Sequence, residues 1–297
     1  MRIDIGEIRL AYVALALAAF ALIAAGCAAD DPEDGGVAQL TVNGDATVVV
    51  ANSPGTLTTN GPQRVLVGLI GSGPNDFLGG DDQRAVLEFE AVEGEGRGEA
   101  TGAWLSNPGV ELGLYTATFT FDEPGLWQIS IKGTGDNVSG ALVEVGEDAV
   151  IPGLGEPAPP SETLTGSTAD ELEAISTDPE PDPDLYDLTV ADALGNGRPS
   201  VIVFATPAFC RTAICGPTVE IIKDVAADHD DVDFVHVEPF DVALARAGTL
   251  QPIDAMFEWG LATEPWVFVT DEDGIVTAAL EGIISEAELE RNLADLS

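Results

Sequence analysis

Cys210 and Cys215 stand with four residues between them in the run Phe204-Ala205-Thr206-Pro207-Ala208-Phe209-Cys210-Arg211-Thr212-Ala213-Ile214-Cys215-Gly216-Pro217. An apolar strand candidate, Val201 to Phe204, leads into the run, and an amphipathic helix candidate, Pro217 to Ala227, leaves it. Two thiols at the point where a strand hands over to a helix N-terminus have the ingredients for thiol–disulfide exchange. The partial positive charge of the helix start favours the thiolate, and the thiolate is the nucleophile. In one unbroken helix, residues this far apart differ by about 7.5 Å of rise. That exceeds the roughly 7 Å Cα limit for a disulfide, so oxidation requires Cys210 to stand outside the helix or the first turn to loosen.

The elements that must hold this run alternate in type. Ser200 to Phe204 reads as a buried strand, with Val219, Ile222, Val225 and Ala226 on one face of the following helix. Val232 to Val237 is a strand, and Ile253 to Trp259 is helical. Trp266 to Val269 and Ile275 to Leu280 flank the turn Asp271-Glu272-Asp273-Gly274, and Ser285 caps a last helix carrying Leu289 and Leu293. Such alternation predicts a mixed sheet covered by helices.

Upstream, residues 37–149 alternate apolar and polar side chains in short runs: Ala46 to Val50, Arg64 to Leu69, Ala85 to Glu90, Leu114 to Phe121, Leu126 to Ile131 and Ala141 to Val145. Turn signals such as Asn43-Gly44, Ser53-Pro54-Gly55 and Glu123-Pro124-Gly125 separate them, which predicts an antiparallel β-sandwich. Trp104, Tyr115, Phe119 and Trp127 are its expected aromatic core. The run Gly113 to Phe121 followed by Pro124-Gly125-Leu126-Trp127 resembles immunoglobulin-like modules of secreted proteins. Between the two halves, residues 150–186 are rich in Pro, Asp, Glu, Ser and Thr, and predict an extended, solvated linker that includes Asp178, Asp182 and Asp184.

The 297 residues carry 11 Lys plus Arg against 52 Asp plus Glu, a formal charge of −41 that repels nucleic acid and anionic lipid. Residues 1–26 read as an export signal: Arg2 and Arg9 precede an apolar stretch from Leu10, which ends in Ile23-Ala24-Ala25-Gly26-Cys27. That ending resembles the lipobox of bacterial lipoproteins, which implies lipidation of Cys27, an acidic tether over 27–36, and a protein held at the extracytoplasmic face of a membrane. Disulfides persist in such oxidising compartments.

Over residues 187–297 the order of elements and two positions resemble the thioredoxin superfamily. Cys210, preceded by the aromatic Phe209, takes the place of the nucleophile, and Pro265 in Thr263-Glu264-Pro265-Trp266 takes the place of the family's cis-proline. The resemblance implies a two-domain chain, an immunoglobulin-like all-β sandwich followed by an α/β thioredoxin-like fold with helices on both faces of a mixed sheet. It implies exchange with protein thiols and disulfides through Cys210 and Cys215, in a substrate groove formed by Phe209, Arg211, Glu264 and Pro265. The segment Cys215-Gly216-Pro217-Thr218 also resembles the family motif with its second cysteine replaced, so either thiol can be the nucleophile.

Three alternatives stand beside exchange. A binding or assembly module would keep the pair as a structural staple, although so short a loop gains little closure entropy. A copper-handling redoxin would draw on the histidines, of which there are two, His229 and His236, neither following Pro265. Some peroxiredoxins share the four-residue spacing. No metal site, nucleotide, flavin or haem signal is present in the sequence, and no cofactor is expected.

Overall fold

The computed structural model describes residues 38–296 apart from 43, 74–75, 108–109, 111 and 136. The export segment 1–26, the lipidation site Cys27 and the tether 27–36 lie outside the described residues.

Nine strands form one sheet: β1 (Ala38–Gln39), β2 (Ala46–Val50), β3 (Gln63–Ile70), β4 (Gln83–Ala91), β5 (Arg97–Ser106), β6 (Gly113–Phe119), β7 (Gly125–Ile131), β8 (Val138–Ser139) and β9 (Ala141–Val145). Their order is β8-β2-β3-β6-β5-β4-β7-β9, with β1 paired to β4. The sheet curls nearly shut, because the chain joins its two ends. Val138 and Ser139 pair with β2, and after Gly140 the same stretch pairs with β7 from Ala141 onward. Inside lie Val65, Val67, Leu69, Leu87, Phe89, Tyr115, Trp127 and Ile129, all essentially inaccessible to solvent. Phe89 stacks on Phe119 with ring centroids 3.9 Å apart, and Phe121 meets Trp127 edge to face at 5.0 Å. Of the expected aromatic core, Tyr115 and Trp127 are fully buried, while Trp104 and Phe119 are partly so.

The second sheet has four strands, β10 (Ser200–Phe204), β11 (Asp233–Val237), β12 (Trp266–Thr270) and β13 (Val276–Glu281), in the order β11-β10-β12-β13. β10 is parallel to β11 and antiparallel to β12, and β13 returns antiparallel to β12. Every residue of β10 is buried, which is why Ser-Val-Ile-Val-Phe reads as a continuous apolar run rather than an alternation. Val201 and Val203 pack with Val219, Ile222 and Leu289, whereas Ile202 and Phe204 pack with Val190, Met256 and Trp259. The helices among the described residues are α1 (Ala169–Ile175), α2 (Val190–Gly195), α3 (Cys215–Ala226), α4 (Val242–Arg246), α5 (Asp254–Glu258) and α6 (Glu286–Ala294).

This architecture corrects the expected fold class. The N-terminal half is one nearly closed nine-stranded sheet, not a sandwich of two. The chain as a whole is predominantly β, its helices are mostly short, and it does not have the α/β thioredoxin-like fold expected of its C-terminal part. Among the described residues, only α3, at 12 residues, and α6, at 9, are longer than two turns. The segment between β11 and β12 cannot support longer helices, because Gly248, Pro252 and Gly260 interrupt it; Gly248 and Gly260 adopt φ of +90° and +65°.

Residues 150–186 differ from a solvated linker as well. Ile151, Ala158, Leu172, Leu185 and Tyr186 are buried against the C-terminal part. Asp178 is buried and paired with Lys223 at 2.6 Å. A capping box between Thr168 and Glu171 starts α1 within this stretch. Among the described residues, no helix is long and apolar enough to cross a membrane.

Candidate functional site

Thr206 ends the run out of β10, and its carbonyl accepts hydrogen bonds from Phe209 N–H (3.3 Å) and Cys210 N–H (3.1 Å). This turn lifts Cys210 out of any helix. α3 starts only at Cys215, with Ile214 as an N-cap that makes no side-chain capping bond. Pro217 sets that start. In the first turn its missing N–H removes no helical hydrogen bond, but a helix begun earlier would press its ring against the carbonyl of Ala213. Ala213 turns aside instead, with φ +59°, the one non-glycine residue at positive φ among those described.

With Cys210 in the turn and Cys215 on the helix, the Cα atoms are 6.0 Å apart and the two sulfurs form a disulfide. The bridge is asymmetric. Cys215 is fully buried, whereas Cys210 is half-buried, its sulfur 3.3 Å from the Thr212 hydroxyl. An incoming thiolate therefore reaches Cys210 first, and the sulfur it displaces is left at the positive end of a three-turn helix.

The other expected site residues are placed as follows. Phe209 is half-buried and Arg211 exposed; Glu264 is half-buried and Pro265 buried, with a cis peptide bond between them. Burial pushes the Glu264 carboxyl up from its ordinary value, and the Arg211 guanidinium opposes that shift. Cys27 lies outside the described residues.

Behind the loop is a set of polar groups that sequence reading did not single out as a site. His236 is buried with both ring nitrogens engaged: Nδ1 lies 2.7 Å from the Tyr186 hydroxyl and Nε2 2.9 Å from the Ala205 carbonyl. The Ser176 hydroxyl, 2.8 Å from Tyr186 Oη, extends the chain. The carbonyl of Ala205 requires Nε2 to carry the proton, so Nδ1 accepts from Tyr186. Burial drives the pKa of His236 down to about 4, and the imidazole stays neutral. Both nitrogens being occupied, His236 offers no lone pair to a metal. Beside it, Thr177 donates to the Glu238 carboxylate through N–H (2.6 Å) and Oγ1, while Thr177 Oγ1 accepts from Ala208 N–H at 3.1 Å. Burial raises the Glu238 pKa against these bonds. The sequence carried no signal for either chain of contacts, which join residues from the supposed linker to β11.

The barrel also reaches the site. Leu66 on β3 and Leu114 on β6 point outward from the barrel and are buried with Ile214 and Ile283; Cys210, Phe77, Leu105 and Leu112 pack around the same cluster, each partly exposed. Hence β3 is apolar on both faces: Val65, Val67 and Leu69 fill the barrel, and Leu66 covers the disulfide loop. Polar contacts fix the docking. Arg64 donates to Glu288, to the Glu281 carbonyl (2.7 Å) and to the Ile283 carbonyl (2.6 Å), and the Glu281 carboxylate accepts from Ser53 N–H and from Thr263 Oγ1 (3.2 Å). Beside these groups a 470 Å³ cleft opens between barrel and second sheet, lined in part by Asn52, Arg64, Trp266 and Glu281.

No protein-family model matches the chain, and no curated protein matches it.

Proposed function

We propose that the chain is an extracytoplasmic thiol–disulfide oxidoreductase acting through Cys210 and Cys215, exported by residues 1–26 and tethered to a membrane through lipid on Cys27. The asymmetry of the disulfide carries this reading: a half-buried Cys210 is bonded to a fully buried Cys215 at a helix N-terminus. A bridge kept only as a staple has no need of that arrangement.

In the oxidising direction, a substrate thiolate attacks Cys210 Sγ. The Cys210–Cys215 bond breaks, a substrate–Cys210 bond forms, and the electron pair leaves on Cys215, where the helix start stabilises the thiolate. A second substrate thiolate then attacks the substrate sulfur of the mixed disulfide. The substrate leaves as a disulfide, and the protein keeps both electrons as a dithiol. The reducing direction runs the same steps backwards, with Cys210 as nucleophile and Cys215 resolving. In this reading Phe209, Arg211, Glu264 and Pro265 form the substrate groove. Glu264, its pKa raised by burial, is suited to take up or release the proton that accompanies thiolate formation.

Thiol trapping in glutathione buffers of graded potential tests this reading. The pair is expected to interconvert as a two-electron couple, and reduced chain is expected to cleave insulin disulfides in a manner lost in Cys210→Ser. A bridge that never opens across the accessible range would leave only the structural staple.

A further inference from the structure

We infer that the barrel builds part of the substrate surface beside Cys210 and selects polypeptides whose cysteine is flanked by apolar side chains. This deepens the exchange reading proposed above and rests on it. Cys210 is half-buried within an apolar cluster whose fully buried members, Leu66, Leu114, Ile214 and Ile283, hold the barrel to the disulfide loop. Phe77, Leu105 and Leu112 belong to the same cluster and keep part of their surface exposed. The cysteine open to attack thus packs on the same apolar cluster as partly exposed aromatic and aliphatic side chains from a different part of the chain.

The sulfur fixes the partner's reactive atom, since only a thiol or disulfide can react with it. The apolar edge fixes what must lie next to that atom. A peptide carrying Leu or Phe beside its cysteine removes this surface from water as the sulfurs come into line. Glutathione brings carboxylates to an apolar wall on a protein with a formal charge of −41, and gains neither burial nor long-range attraction.

The test uses the full chain as Cys215→Ser, which cannot resolve a mixed disulfide, with substrates activated as 2-pyridyl disulfides. Cys210 thiolate attacks the substrate sulfur, the Cys210–substrate bond forms, and the departing pyridine-2-thiolate takes up a proton as an absorbing thione. A Leu-Cys-Leu peptide is expected to react at least ~10-fold faster than a Ser-Cys-Ser peptide or the glutathione derivative, the ratio expected from burying part of two leucines. Added Leu105→Ser or Leu112→Ser is expected to shrink that ratio to about 2-fold by slowing the Leu-Cys-Leu peptide, with the rate of the small, neutral hydroxyethyl pyridyl disulfide measured alongside as the reference. Equal rates for the three substrates, or a preference untouched by both substitutions, would overturn the inference and leave exchange standing. If Cys210 failed to react even with the hydroxyethyl reagent, the exchange reading itself would fall, and the inference with it. Should both leucine variants misfold, the substrate series on the Cys215→Ser chain decides alone.

Discussion

Arg64 and Glu288 are 224 positions apart in sequence and joined by two N–H···O bonds, Nε to Oε1 at 2.6 Å and Nη2 to Oε2 at 2.9 Å, with side chains only 12% and 10% exposed. One guanidinium thereby ties β3 of the barrel to the first turn of α6 and, through the Glu281 and Ile283 carbonyls, to the end of β13. The same docking presses Leu66 onto the disulfide loop.

Arg64→Ala leaves the Glu288 carboxylate and two carbonyls without their donor in a largely dry interface. It is expected to destabilise the chain by about 3 kcal/mol, within the range for breaking a buried pair from one side. Urea unfolding of the variant measures this, and added salt should change the difference little because the pair is poorly solvated. A loss under 1 kcal/mol would show that the docking is held by the apolar cluster alone.

Reduced chain is expected to alkylate at Cys210 at least ~10-fold faster than at Cys215, since exposure governs the encounter and Cys215 is fully buried. Mass spectrometry of iodoacetamide-quenched samples resolves the two peptides. Faster labelling of Cys215 would reverse the roles assigned to the pair.

Ala213 adopts φ +59° while exposed, so a β-branched side chain there meets its own backbone rather than a neighbour. Ala213→Val is expected to cost the oxidised chain about 1–2 kcal/mol, whereas Ala213→Gly should be neutral or mildly stabilising. Denaturant midpoints of the two variants give the comparison, and equal midpoints would refute a left-handed residue at this position.

His236 has a folded pKa of about 4 against an ordinary 6.5. The unfolded chain therefore binds a proton that the native chain does not, and stability present above pH 6.5 is lost as pH falls toward 4. Between pH 7 and pH 5 this amounts to about 2 kcal/mol. Nearby Glu238 acts with the opposite sign, because its raised pKa makes the native chain bind the extra proton. The groups separate by variant: His236→Gln should flatten the acid-side fall, measured by denaturation at several pH values, whereas Glu238→Gln should steepen it. An unchanged profile in His236→Gln would mean that the imidazole is not held neutral.

Some features were hidden from the sequence for identifiable reasons. β5 has no apolar alternation because its inward positions include Gly98, Ala100 and Gly102; a Cβ on Gly98 would come within 2.7 Å of the Phe119 ring, and one on Gly102 within 3.2 Å of the Tyr115 Cβ. The aromatic rings of β6 fill the space that a β5 side chain would take. Missing that strand hid the link between β4 and β6 that makes one sheet of the barrel. In residues 150–186, Pro and Asp dominate the composition, yet Asp178 is paired with Lys223 and the Tyr186 hydroxyl is bonded to the Ser176 hydroxyl and to His236 Nδ1, so polar residues there are buried with their bonds made.

By itself, the sequence determined the strands with alternating or continuous apolar runs, the turn chemistry between them, and the position of Cys210 and Cys215 at the junction of a strand and a helix. It also determined that the pair could close only with Cys210 outside the helix or the first turn loosened, because that follows from helix rise. Tertiary structure alone decided that β8 and β9 close the barrel, that Leu66 and Leu114 face the disulfide loop, and that Cys210 is accessible while Cys215 is not. Side-chain periodicity is local and says which residues share a face. What that face meets depends on contacts between residues as far apart as Arg64 and Glu288, and these exist only once the chain has folded.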